Sequence, residues 1–144
     1  MPGSFTNFLE REVLNHLHGG PDLLRPGTVY VGLSREPIAE DGSGIDEPPG
    51  AANYARYEVT NTNGEWAPAA TDGANVTSKV NDQPFEYNTA SASWGEVTHF
   101  FISDDLTSTL EDNIWSYGEL TVPKTIDDGD TASFAAGDLE IRLD

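Results

Sequence analysis

Between residue 28 and its end, the chain carries short runs with apolar residues at every second position, separated by stretches rich in Gly, Asp and Pro. Period-two alternation is the pattern of a half-buried strand and does not fit the 3.6-residue repeat of a helix. In "TVYVGLS" (28–34), Val29, Val31 and Leu33 share one side. "YARYEVT" (54–60) repeats the pattern with Ala55, Tyr57 and Val59, and "VTSKV", "FEY" and "IWSYGELTV" (114–122) follow. In "DLEIRLD" (138–144), Leu139, Ile141 and Leu143 stand against Glu140 and Arg142. The densest run is "WGEVTHFFISDD" (94–105), where strict alternation puts Val97, His99 and Phe101 on one face and Phe100 and Ile102 on the other. Apolar residues on both faces predict a central strand covered on both sides. About seven short strands joined by turns predict a mainly β fold: an antiparallel, jelly-roll-like β-sandwich, as one domain over residues 1–144.

The head of the chain, "MPGSFTNFLEREVLNHLHGG", reads differently. Phe5, Leu9, Val13 and Leu17 recur four apart, and Phe8 and Leu14 widen the stripe, which predicts an amphipathic helix over 4–18. Ser4 is the expected N-cap, worth about 1 kcal/mol over Ala. Glu10 near the start and His16 and His18 in the last turn suit the helix dipole, and Gly19, Gly20 and Pro21 stop the helix. Such a stripe must pack on the sheet or on another subunit. Phe5, Phe8, Leu9, Val13 and Leu17, with Trp94 and Trp115 from the strands, are therefore the candidate interface residues. The Gly-, Pro- and acid-rich stretches 36–53 and 61–75 have no periodicity and are expected as solvent-facing loops.

Charge decides which partners are excluded. There are 25 acidic and 7 basic residues among 144, a formal net charge of -18, and the lysines are Lys79 and Lys124. A phosphate-binding surface needs clustered Lys and Arg, so nucleic acid is not an expected partner. No apolar run approaches the roughly 20 residues of a membrane span. Three Trp, five Tyr and six Phe, set in strand-like runs, argue against an acidic disordered chain. Self-repulsion at this charge is screened in molar salt, where the Debye length is about 3 Å, and the composition points to a high-salt environment.

No constellation for catalysis stands out, and neither a metal nor a cofactor is expected. The chain has no cysteine, and it has no nucleophile elbow, phosphate loop or zinc-binding H-E-x-x-H. His16 and His18 are two apart on a helix, so they diverge and serve the helix end. His99 reads as a satisfied sheet histidine. Asp127, Asp128 and Asp130 surround Gly129 without the spacing of a calcium loop, and read as a tight turn. Asn75–Thr77 is a formal glycosylation acceptor. Trp66, Trp94 and Trp115 are expected in the core or a subunit interface rather than stacked on sugars.

Three blocks carry a resemblance: "SFTNFLEREVLNHLHGG" with "YVGLS" after it, "SWGEVTHFFISD", and "WSYGELTVPKTIDDGDTASFAAGDLEIRLD". They resemble small virion structural proteins of tailed phages and tailed archaeal viruses, labelled as tail-fibre or decoration proteins. The resemblance covers both ends of the chain and leaves residues 36–90 unmatched. Where members of that family read "THFGIFD", this chain has "THFFISD", with Phe101 in place of a small residue. The resemblance implies a non-enzymatic capsid decoration or turret protein on the shell of a halophilic tailed virus, located at the capsid surface. Its implied partners are further copies in a pentameric or hexameric ring, the major capsid protein and the host surface, with no nucleic acid and no membrane insertion. The alternative it implies is a tail or tail-fibre component that contacts the host.

Overall fold

The computed structural model describes residues 3–143. In chain order these form β1 (Ser4–Phe5), α1 (Asn7–Leu17), β2 (Thr28–Ser34), β3 (Tyr57–Thr60), β4 (Ala70–Thr71), β5 (Thr77–Val80), β6 (Phe85–Thr89), β7 (Gly95–Ser103), β8 (Ile114–Ile126), β9 (Thr131–Phe134) and β10 (Glu140–Leu143). Asp144, the end of the strand expected over 138–144, lies outside the described residues. The fold is mainly β, with antiparallel sheets and one N-terminal helix. A five-stranded sheet in the order β1-β8-β7-β2-β3 forms one layer, and a three-stranded sheet, β10-β5-β4, and the pair β6-β9 stand against it. Val31, Val59, Phe85, Trp94, Val97 and Leu139, each almost fully enclosed, fill the space between the layers.

The helix starts later than its sequence suggests. Ser4 and Phe5 pair with Tyr117 and Ser116 of β8, so the expected N-cap is drawn into a sheet. Thr6 takes over the cap: its hydroxyl accepts from the Leu9 N–H and donates to the Ile114 carbonyl at 2.6 Å. Gly3 bridges onward to β10, donating to the Glu140 carbonyl and accepting from the Arg142 N–H, so the N-terminal segment ties the two layers together. That approach needs glycine on both sides, since a Cβ on Gly118 would fall 2.6 Å from the Gly3 Cα.

β7 occupies the sheet's centre and is covered on both faces, with Phe100 and Phe101 both buried. The expected split of its faces needs a correction. A register shift between Val97 and His99 puts Val97 on the same side as Phe100 and Ile102, facing the main core. At that point β7 advances from Val97 to His99 while β8 runs from Lys124 to Glu119, leaving Leu120–Pro123 outside the ladder. Strict alternation fails across such a bulge, because the extra residues change which face follows.

The stretch 36–53 is less open than its composition predicts. It crosses the outer face of the five-stranded sheet, where Ile38 packs with Phe101 and Ile114, and Ile45 and Tyr117 flank them. Phe101 pairs with Gly32, and its ring lies over that glycine where any side chain would collide. The Phe101 that departs from the family pattern is therefore a packed aromatic beneath this loop. Two strands were not anticipated, β4 and β9; the second follows β8 across the Asp127–Asp130 turn and pairs antiparallel with β6. In that turn the Asp130 carboxylate accepts from the Asp127 N–H.

Candidate functional site

The layers do not close along the side that carries α1. Phe5, Val29, Ile102 and Ser116 face an open groove, floored by the five-stranded sheet. One arm, about 270 Å³, runs between that sheet and β5-β10, where Trp66, Ile141 and Leu143 line it. The other arm, about 320 Å³, runs beneath α1, bounded by Leu9, Val13, Leu23, Pro26 and Trp115. No residue lining either arm is acidic, although the chain carries 25 carboxylates. Two cations border it instead, Lys79 in the first arm and Arg25 in the second. An apolar groove with few polar groups is the default place to look for a binding partner.

The candidate interface residues divide three ways. Phe5, Leu9, Val13 and Trp115 meet in this groove, and Phe8 packs edge-on against Trp115 with ring centroids 6.2 Å apart. The Trp115 indole N–H is buried and has no acceptor among the described residues. Leu17 points away and is 65% exposed, as is Leu14 at 60%, so the second half of the helix displays its apolar stripe to solvent. Trp94 is corrected from interface to core. It is fully enclosed against Tyr54 and Tyr87, and its N–H donates to the Ala52 carbonyl at 2.9 Å. Val29, Ile102, Ile141, Arg25 and Lys79 were not singled out from the sequence. A usable signal exists: residues 23–35 contain no acid.

At the sheet's end, the loop between β7 and β8 is held by a buried cation. The Arg56 side chain is 1% exposed and makes a bidentate pair with Glu47, at 2.9 and 2.8 Å. Its remaining N–H groups donate to the carbonyls of Asp105, Thr107 and Ser108 and to the Ser103 hydroxyl. The guanidinium also lies 4.8 Å from the centre of the Phe101 ring. Such planar, multidentate recognition is what Arg supplies and Lys cannot. The Tyr54 hydroxyl donates to Glu47 and accepts from the Leu33 N–H, and burial with the adjacent carboxylate pushes its ionisation far up.

Within the loop, the Asp105 carboxylate accepts from the N–H groups of Thr107 and Ser108, which hold its pKa below the usual range. Asn113 donates to Asp104 and accepts from the Ser108 hydroxyl. With its polar groups turned inward, the loop leaves Leu106 and Leu110 50% and 71% exposed.

The histidines sit at structural positions. His16 accepts from the Leu23 N–H, and His18 closes the helix by donating its N–H to the Leu14 carbonyl. His99 bonds Thr98 at 2.7 Å, and partial burial lowers its pKa. A separate cleft of about 700 Å³ lies between β9 and the displaced Leu120–Pro123, with Lys124 and Asp138 among its walls.

With the geometry in hand, the chain compares as follows. The model of the family described as "Podophage GP4 fiber I protein gp80" matches residues 4–142. The chain belongs to that family, a family of phage fibre proteins, and is thus a structural component of a virion. No curated protein matches the chain.

Proposed function

We propose that this member of the fibre family is a non-enzymatic structural subunit, placed in or beside a virion fibre, that assembles with copies of itself through the groove along α1. The observation that carries the reading is the groove itself. On a body of net charge -18, the apolar channel of Phe5, Val29, Ile102 and Ile141 is bordered by cations and by no carboxylate. Solvated acidic surface keeps such proteins apart, and an acid-free apolar strip is where close approach costs least.

The fibre description of the family moves a tail or fibre role ahead of the capsid-decoration role that the sequence resemblance first favours. In both roles the work is mechanical, and further copies are the first partner. The acidic balance supports a high-salt host, because screening lets like-charged subunits meet.

Two measurements test this. Antibody-gold labelling of intact virions should mark a fibre; label spread evenly over the shell would return the protein to the decoration role. Sedimentation in molar KCl should show self-association, and Leu9→Asp or Val13→Asp should reduce it or the fold without touching any turnover.

A further inference from the structure

The groove's partner can be sought from the charges. Among the described residues, Arg11, Arg35, Arg56 and Arg142 each pair with a carboxylate of this chain, namely Glu111, Asp46, Glu47 and Glu140. Arg25, Lys79 and Lys124 have no such partner, and the first two border the acid-free groove. An occupant complementary to it carries apolar side chains with carboxylates beside them.

This chain displays one segment of that description on a fixed support. The β7–β8 loop reads "DDLTSTLED" from Asp104 to Asp112, with Leu106 and Leu110 exposed between Asp104 and Asp105 on one side and Glu111 and Asp112 on the other. Arg56 holds three of its carbonyls, and Asp105 and Asn113 close it from within. A loop already ordered loses little conformational freedom on docking, which favours binding. The other exposed apolar residues stand elsewhere: Leu14 and Leu17 lie on α1, the helix that itself bounds the groove, Leu24 adjoins Arg25, Val122 lies near Lys124, and Leu143 belongs to the groove wall. Leu106 and Leu110 do not line the groove of their own chain, so another chain must supply the contact.

We infer that the groove along α1 receives the Leu106–Leu110 loop of a second copy, with Arg25 and Lys79 facing the flanking acids, Asp112 foremost, since Glu111 already pairs with Arg11. This rests on the reading that the chain assembles with itself, and it names the surface that does so.

The test uses self-association of the full chain in molar KCl, followed by sedimentation, with circular dichroism as the control for folding. Leu106→Ser/Leu110→Ser and Arg25→Glu/Lys79→Glu should each weaken association at least about tenfold while the fold persists, since all the altered side chains lie on the surface or the groove rim. Adding Asp112→Lys to the Arg25→Glu/Lys79→Glu variant should restore part of that loss. The absence of cysteine permits a direct check: Leu110→Cys mixed with Leu143→Cys should give a mixed disulfide dimer beyond that of either variant alone. If the leucine variant associates normally while Leu143→Asp does not, the groove is an interface but this loop is not its occupant. If the wild-type chain stays monomeric at every salt concentration, the assembly reading fails and this inference with it.

Discussion

Replacing Arg56 with methionine isolates the strongest single polar device in the molecule. The substitution keeps an unbranched side chain over Phe101 and removes the charge. It leaves Glu47 without its bidentate partner and strips donors from the carbonyls of Asp105, Thr107 and Ser108. Breaking one side of a buried pair typically costs about 3–5 kcal/mol, because the remaining charge stays desolvated. Glu47 retains 22% side-chain exposure, so it is partly rehydrated and the lower half of that range applies to the pair. Each carbonyl left inside would add about 1–3 kcal/mol, but the loop is at the surface and can swing its carbonyls out to water. The net expectation is a loss of about 3–4 kcal/mol, a large share of a typical total of 5–15 kcal/mol.

Urea unfolding at fixed salt measures the loss, and hydrogen exchange at residues 105–110 should rise with it. Because the pair is enclosed, the loss should persist in molar salt, unlike that of the exposed Arg11–Glu111 pair. In Arg56→Met/Glu47→Leu much of the stability should return, since the stranded carboxylate is gone. A single-variant loss under about 1 kcal/mol, or no recovery in the double variant, would refute the argument that enclosed charge sets the size of the effect.

Gly32→Ala should fold poorly or not at all, because its Cβ meets the Phe101 ring, and Phe101→Leu in the same chain should recover a cooperative thermal transition. Trp94→Ala should destabilise by about 3–5 kcal/mol as a cavity-forming core change, read by urea unfolding. Asp105 has its pKa lowered in the fold by the N–H groups of Thr107 and Ser108, so its contribution is full above the ordinary carboxylate value and is lost as pH falls through the lower folded value. Exchange in loop 104–113 should therefore accelerate in that acid window, and Asp105→Asn should remove the step. Self-association should strengthen as KCl rises from about 0.1 to 1 M, by sedimentation; weakening over that range would contradict the assignment of the groove as an apolar interface.

The architecture was legible because alternation in β2, β7, β8 and β10 leaves few other folds. The boundaries were set by contacts that no local pattern contains. Ser4 and Thr6 are both good caps, and pairing of Ser4 and Phe5 with β8 decides between them. Val97 shares the face of Phe100 because β7 breaks its alternation at Thr98, where its pairing with β8 shifts register, a property of the pair rather than of either segment. β4 and β9 are short and largely exposed, so they lack an apolar rhythm to read. The groove was half legible: the N-terminal apolar stripe supplied Phe5, Leu9 and Val13, whereas Ile102 and Ile141 look like ordinary core residues until the layers are seen not to close over them.

Placement of charge ties the fold to assembly. A body of this length has centres about 40 Å from a touching copy. Two such bodies at -18 each would repel by roughly 30 kcal/mol in unscreened water. A Debye length of about 10 Å at 0.1 M reduces that by about an order of magnitude, and one of about 3 Å removes nearly all of it. Attraction between Arg25 or Lys79 and a neighbour's acids also weakens with salt, but it involves a few charges against the whole surface. Under the proposed docking, burial of Phe5, Ile102 and Leu143 against a neighbour's leucines would not weaken in this way. The repulsive term therefore loses more on salting than the attractive one. In the proposed assembly the acid-free lining would act as a selector, letting copies meet along one strip while the remaining acidic surface keeps them apart elsewhere.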